Sequence, residues 1–183
     1  MSLIAFRKYS DRFDISSEGL VTSADYVVSK DSVKFERLNA YNIIGGVGNV
    51  NLITRFFEHL EAKLNPDSAM TERTLLFYVG DFVKKYKEDY SFMDQNVYAR
   101  FLLFDSRFGG HVYEFSINPG EPEQTVIGLI DPCNNLGAIG VGDDFAKGVM
   151  YATHLSPADA IRCTAKNYIA INENITTIEL KIN

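Results

Sequence analysis

The sequence predicts an α+β fold, a four-layer αββα sandwich in which two mainly antiparallel sheets pack face to face between pairs of helices. Three observations lead there. Up to Gly46 the chain consists of closely spaced β-rich runs. Helical periodicity then appears in pairs, over 49–64 with 75–86 and again over 143–152 with 156–163, and not singly between strands as a doubly wound parallel sheet would need. The chain closes on an alternating run, "ITTIELKI".

Each element has a local reason. "SLIAFRKY" and "RFDISSE" flank Ser10-Asp11, which reads as a hairpin. "DYVVS", "SVKFERL" and "YNIIGG" are further strands. Val50, Ile53, Phe56, Phe57, Leu60 and Leu64 recur at helical spacing, and "NPDSAMT" ends that pattern. Leu75, Leu76, Val79, Phe82, Val83 and Tyr86 form one face of a second helix. "VYARFLLFD" and "HVYEFSI" are strands joined across Gly109-Gly110, a pair that adopts positive φ at little cost. "GEPEQ" is a surface turn and "TVIGLID" a strand. "LGAIGVG" leads into a helix carrying Phe145, Val149 and Ala152. In "LSPADAIRC", Ser156 suits an N-cap, Pro157 the first helical position and Asp159 the first turn.

The 183 residues predict one domain spanning 1–183, with 46% hydrophobic and 23% charged residues. A net charge of −6 without basic runs argues against nucleic acid as a partner. The N-terminus lacks the long apolar core of a signal peptide, and no window approaches the roughly 20 apolar residues of a membrane span. Cys133 and Cys163 match no metal-ligand spacing and do not read as a disulfide framework. A cytoplasmic protein without a cofactor or a membrane is the expectation.

Two glycine clusters, "GGVGN" and "GVGDD", suggest phosphate binding only superficially. Neither ends in Gly-Lys-Ser/Thr, and Asn51 and Phe145 stand where a dinucleotide fingerprint needs its last glycine. They read as turns. His59, His111 and His154 have no partner at metal spacing and read as surface or helix-end residues. Cys163 reads as a buried apolar residue within a helix.

"SSEGLVTSADYVVSKDSVKFERLN", "GGVGN", "GAIGVGDDFAKGVMYA" followed by "LSPADAIR", and the closing "ENITTIEL" occur in an order that resembles the proteasome β-subunit family, bacterial ring proteases included. This is the N-terminal-nucleophile (Ntn) hydrolase superfamily. The resemblance covers nearly the whole chain and implies amide-bond hydrolysis by the first residue of the mature chain, whose own α-amine is the general base. Lys34 matches the family lysine that tunes the amine, and Glu18 falls at the family aspartate, one methylene longer. Gly48 matches the glycine whose N–H stabilises the oxyanion. Thr22 matches a threonine whose backbone pairs with substrate, and Gly46 falls where a side chain would wall the specificity pocket, implying a wide pocket there.

Counting back, Ser2 lies sixteen residues before Glu18, which lies sixteen before Lys34, the family's intervals. Ser2 is then the nucleophile once Met1 is removed. "LIAF" instead resembles the family's opening run when Met1 is placed at residue one, which leaves the site without a hydroxyl. The two registers exclude each other, because a one-residue slip turns every side chain to the other face. Val141 stands where the family often has serine, and Asn167, or alternatively Asn172, where active members carry an aspartate. These departures resemble catalytically silent β-type subunits. The resemblance therefore implies either a self-assembling ring subunit with degenerate or absent peptidase activity, or an active Ser2 peptidase. It implies homo-oligomers in both cases, with a peptide or protein substrate in the second, and leaves any ATPase partner unassigned.

Overall fold

A computed structural model of the chain describes residues 2–23, 26–30, 32–65, 70–89, 97–121, 127–129 and 135–183. The first strand, β1 (Leu3–Lys8), sets the layering. Its side chains alternate between two cores: Leu3 and Ala5 face one helix pair, Ile4 and Phe6 the opposing sheet. Both faces are buried, which is why the strand begins as an unbroken apolar run.

β1 forms a hairpin with β2 (Arg12–Glu18), closed by Tyr9 N–H donating to Arg12 O at 2.7 Å. β10 (Leu136–Gly140) flanks β1 and β11 (Ile175–Lys181) flanks β2, giving an antiparallel sheet in the order β10-β1-β2-β11. The second sheet has the order β5-β6-β7-β8-β9 and is also antiparallel. Its strands are Phe35–Arg37, Asn42–Gly48, Ala99–Asp105, His111–Ile117 and Ile127–Leu129. A short ribbon, β3 (Val21–Ser23) with β4 (Tyr26–Ser29), stands apart from both.

Between the sheets, Ile4, Phe6, Phe13 and Ile15 meet Phe35, Ile43, Leu102 and Phe104. The Phe104 ring sits edge-on to Phe6 and Phe13, with centroids 5.2 and 5.6 Å away. Helices α1 (Val50–Lys63) and α2 (Glu72–Asp89) cover the second sheet, with Phe56 of α1 against Phe82, Phe101 and Phe115. Helices α3 (Asp143–Thr153) and α4 (Pro157–Ala165) cover the first. The four-layer αββα arrangement is the one the sequence predicts.

Ser156 caps α4 as expected, accepting from Asp159 N–H at 3.2 Å, and Asn49 caps α1 by accepting from Leu52 N–H at 3.0 Å. The β7–β8 turn places Phe108, Gly109 and Gly110 at positive φ. Two expectations fail. His59 is not on the surface: it lies on the α1 face turned toward α2, buried against the Phe82 ring. Cys163 is half-buried rather than buried. Cys133 and most of "GEPEQ" and "NPDSAMT" fall outside the described residues. No described helix is long and apolar enough to cross a membrane.

Candidate active site

The site forms where the start of β1 meets the β5–β6 edge of the second sheet. The end of β10 fixes the start of β1. Leu3 pairs with Gly140, and Val141 N–H donates to Ser2 O at 2.9 Å. Gly140 has φ +114, and any Cβ there would collide with the Ser2 carbonyl, so glycine at this position lets the two backbones meet.

Glu18, at the end of β2, is fully buried. One carboxylate oxygen accepts from Leu3 N–H at 3.3 Å and the other from Leu20 N–H at 2.6 Å. The carboxylate thereby pins the peptide that joins Ser2 to Leu3. Lys34 reaches the same loop from the other side, its Nζ donating to Leu20 O at 2.7 Å. Leu20 is held at both ends of its backbone, its N–H by a buried anion and its C=O by a cation only 9% exposed. Burial pushes the Glu18 carboxyl above its ordinary value, against the Leu20 N–H and the charge of Lys34. Burial likewise pushes the Lys34 ammonium below its ordinary value, against the charge of Glu18.

Ser2, Lys34, Gly46 and Gly48 line one cavity of about 290 Å³. The structure thus brings together four of the six residues the sequence singled out, and Glu18 anchors the chain behind them. Thr22 belongs to β3, where its backbone pairs with Val27, while its neighbour Val21 lines the cavity. Gly48 has φ +125 and terminates β6. Gly46 N–H donates to Lys34 O at 3.1 Å, which ties the β6 edge to the lysine segment.

The space at Gly46 is not open. A Cβ there would lie 2.9 Å from Ile53 Cγ2 and 3.2 Å from Phe101 Cε1. Ile53 of α1 fills the space that a side chain at position 46 would take, so the absence of that side chain does not widen the cavity at this wall.

Of the two asparagines, Asn167 is exposed and donates to Cys163 O of the preceding helix α4 at 3.0 Å. Asn172 is the one at the site's rear. Its Oδ1 accepts from Gly19 N–H at 3.2 Å and its Nδ2 donates to Lys30 O at 2.9 Å. The Leu20 peptide and this asparagine clamp were not foreseen from the sequence. Both work through backbone groups, which side-chain identities do not advertise.

No protein-family model matches the chain, and no curated protein matches it. Solved structures do. HslV from Trypanosoma brucei aligns with a TM-score of 0.71 at 18% identity, over 98% of this chain and 99% of that one. The Thiobacillus denitrificans protein BPH aligns with a TM-score of 0.72 at 12% identity, over 99% and 98%. Its complex with epoxomicin gives 0.73 at 12%, over 99% of both chains. The chain has the proteasome-β-like Ntn-hydrolase fold.

Proposed function

We propose that the chain is a proteasome-β-like amide hydrolase, latent until the Met1–Ser2 bond is cut. The observation that carries this reading is the convergence of Ser2 and the buried, pKa-depressed Lys34 on one cavity, with Glu18 fixing the Ser2–Leu3 peptide. After the cut, the Ser2 hydroxyl oxygen attacks a substrate carbonyl carbon and its proton passes to the Ser2 amine. The amine gives that proton to the leaving nitrogen as the C–N bond breaks. Water then attacks the resulting ester and regenerates the hydroxyl. A cationic Lys34 lowers the basicity of the amine and keeps more of it free at neutral pH. Gly48 supplies the oxyanion N–H, and the backbone around Thr22 aligns the substrate.

A second reading, a non-catalytic subunit of an oligomer, draws support from Val141 in place of a hydroxyl and from neutral Asn172. Homo-oligomers suit both readings. Phe77 on α2 and Tyr151 on α3 are 67% and 76% exposed, which provides apolar contact area on both outer layers.

Intact mass separates the readings, followed by exposure to an electrophile that captures an N-terminal serine, with epoxomicin as a first choice. The hydrolase reading expects loss of one methionine and a single adduct on Ser2. Full retention of Met1, or a Met-free protein that stays unlabelled, refutes it.

A further inference from the structure

The cavity beside Ser2 has a chemical asymmetry. One wall is apolar and comes from α1, where Val50, Ile53 and Phe57 line it at helical spacing. The opposite wall is the β5 edge, and Glu36 stands on it. Glu36 pairs with Ile44, whose side chain packs into the helix-side core, so the face of β5 that carries Glu36 is the one turned toward α1. Further along α1, Glu58 follows Phe57 directly and Glu61 stands one turn beyond it. Burial first, and then the charges of Glu61 and Glu58, hold the Glu36 carboxyl above its ordinary value. Arg55 reaches Glu58 at 3.9 Å. Lys34 is the only cation lining the cavity among the described residues, and its ammonium is turned to Leu20 O.

Ile53 packs directly on Gly46, so the apolar wall continues from α1 onto β6. An apolar wall beside a carboxylate complements an aliphatic stem that ends in a cation.

We propose that this cavity selects a lysine or arginine side chain on the amino-terminal side of the scissile bond, with the stem against Ile53 and Phe57 and the cation at Glu36. The proposal rests on the hydrolase reading only in taking the cavity as the substrate pocket.

The test is non-covalent and needs no nucleophile. N-acetyl tripeptide amides ending in arginine, lysine, norleucine or glutamate are titrated into isotope-labelled protein at low ionic strength, and amide shifts are followed. The arginine and lysine peptides are expected to bind about fivefold tighter than norleucine, with glutamate weakest, a difference typical of one partly solvated ion pair. Their shifts should centre on Glu36, Ile53 and Phe57. Glu36→Gln should reduce the advantage to less than about twofold and leave norleucine binding unchanged. Equal binding of arginine and norleucine, an advantage that survives Glu36→Gln, shifts centred elsewhere, or no binding by any peptide overturns the proposal. Selective binding to a Met-free protein that no electrophile labels supports the pocket and refutes the hydrolase; labelling without selectivity does the reverse.

Discussion

The contact that positions Ser2 can be tested at one backbone position. In Gly140→Ala the new Cβ would lie 2.9 Å from the Ser2 carbonyl carbon and 3.2 Å from Leu3 Cα, inside the roughly 3.5–4.0 Å of comfortable carbon contact. Gly140 also holds φ +114, where an alanine is strained by about 1–3 kcal/mol. The clash adds about 1–3 kcal/mol, because the obstacle is backbone and cannot rotate away. The sum is about 2–6 kcal/mol. Gly109→Ala is the control: φ is +84 but nothing lies within 4 Å of its Cβ, so only the strain applies, about 1–2 kcal/mol. At about 2–4 °C per kcal/mol for a chain of this size, Gly109→Ala lowers Tm by about 2–8 °C, and Gly140→Ala by about 4–24 °C. The functional readouts part as well. Gly140→Ala should break the Val141 N–H to Ser2 O bond, so that the Val141 amide loses protection from hydrogen exchange and Ser2 labelling falls. Gly109→Ala should leave both unchanged. Equal Tm shifts in the two variants, or wild-type Val141 protection in Gly140→Ala, would refute the reasoning.

Two further substitutions follow from the burial of named groups. Phe56→Ala removes a fully buried ring packed on Phe82, Phe101 and Phe115 and should cost about 3–5 kcal/mol in urea unfolding, with a Tm lower by roughly 6–20 °C; a loss under about 1 kcal/mol would mean that this core is not packed as described. Lys34→Met leaves the buried Glu18 and the Leu20 carbonyl without their cation and should cost about 1–3 kcal/mol at neutral pH while Ser2 labelling slows by about tenfold or more; unchanged labelling would contradict the role given to the lysine.

Much of the fold was legible because its signals are local and redundant. Paired helical periodicities, Ser156-Pro157 and Gly109-Gly110 each act within a few residues, and together they leave few ways to stack the layers. The candidate site was legible only as far as side chains and intervals carry it. The family resemblance, with its sixteen-residue intervals, implied that Ser2, Glu18 and Lys34 share a site, and β1 and β2 do deliver Ser2 and Glu18 to one end of a hairpin. The filled space at Gly46 was not legible, because it comes from Ile53 on a helix that sequence alone cannot seat to within a methyl group. His59 was misread because its face of α1 depends on where α2 lies, and a single polar residue in an amphipathic pattern does not reveal that.

The direction of the two central pKa shifts bears on what Glu18 and Lys34 are for. Glu18 is raised in the fold, so its contribution to stability is complete below the unfolded value near 4.5 and is lost as pH rises through the raised value. Lys34 is lowered, so its contribution is complete above the unfolded value near 10.5 and is lost as pH falls through the lowered value. Wherever both groups are charged, each charge weighs against the fold, relieved in part by the other. A pair kept for stability would show the opposite signs, with the carboxylate depressed and the ammonium raised. Lys34→Met makes the distinction measurable through its pH dependence. As pH falls through the raised Glu18 value, the wild type keeps a buried ammonium whose counter-charge has gone, and the variant has none. The variant should therefore gain stability relative to wild type on the acid side, and a relative loss there would show that the ammonium stabilises the fold.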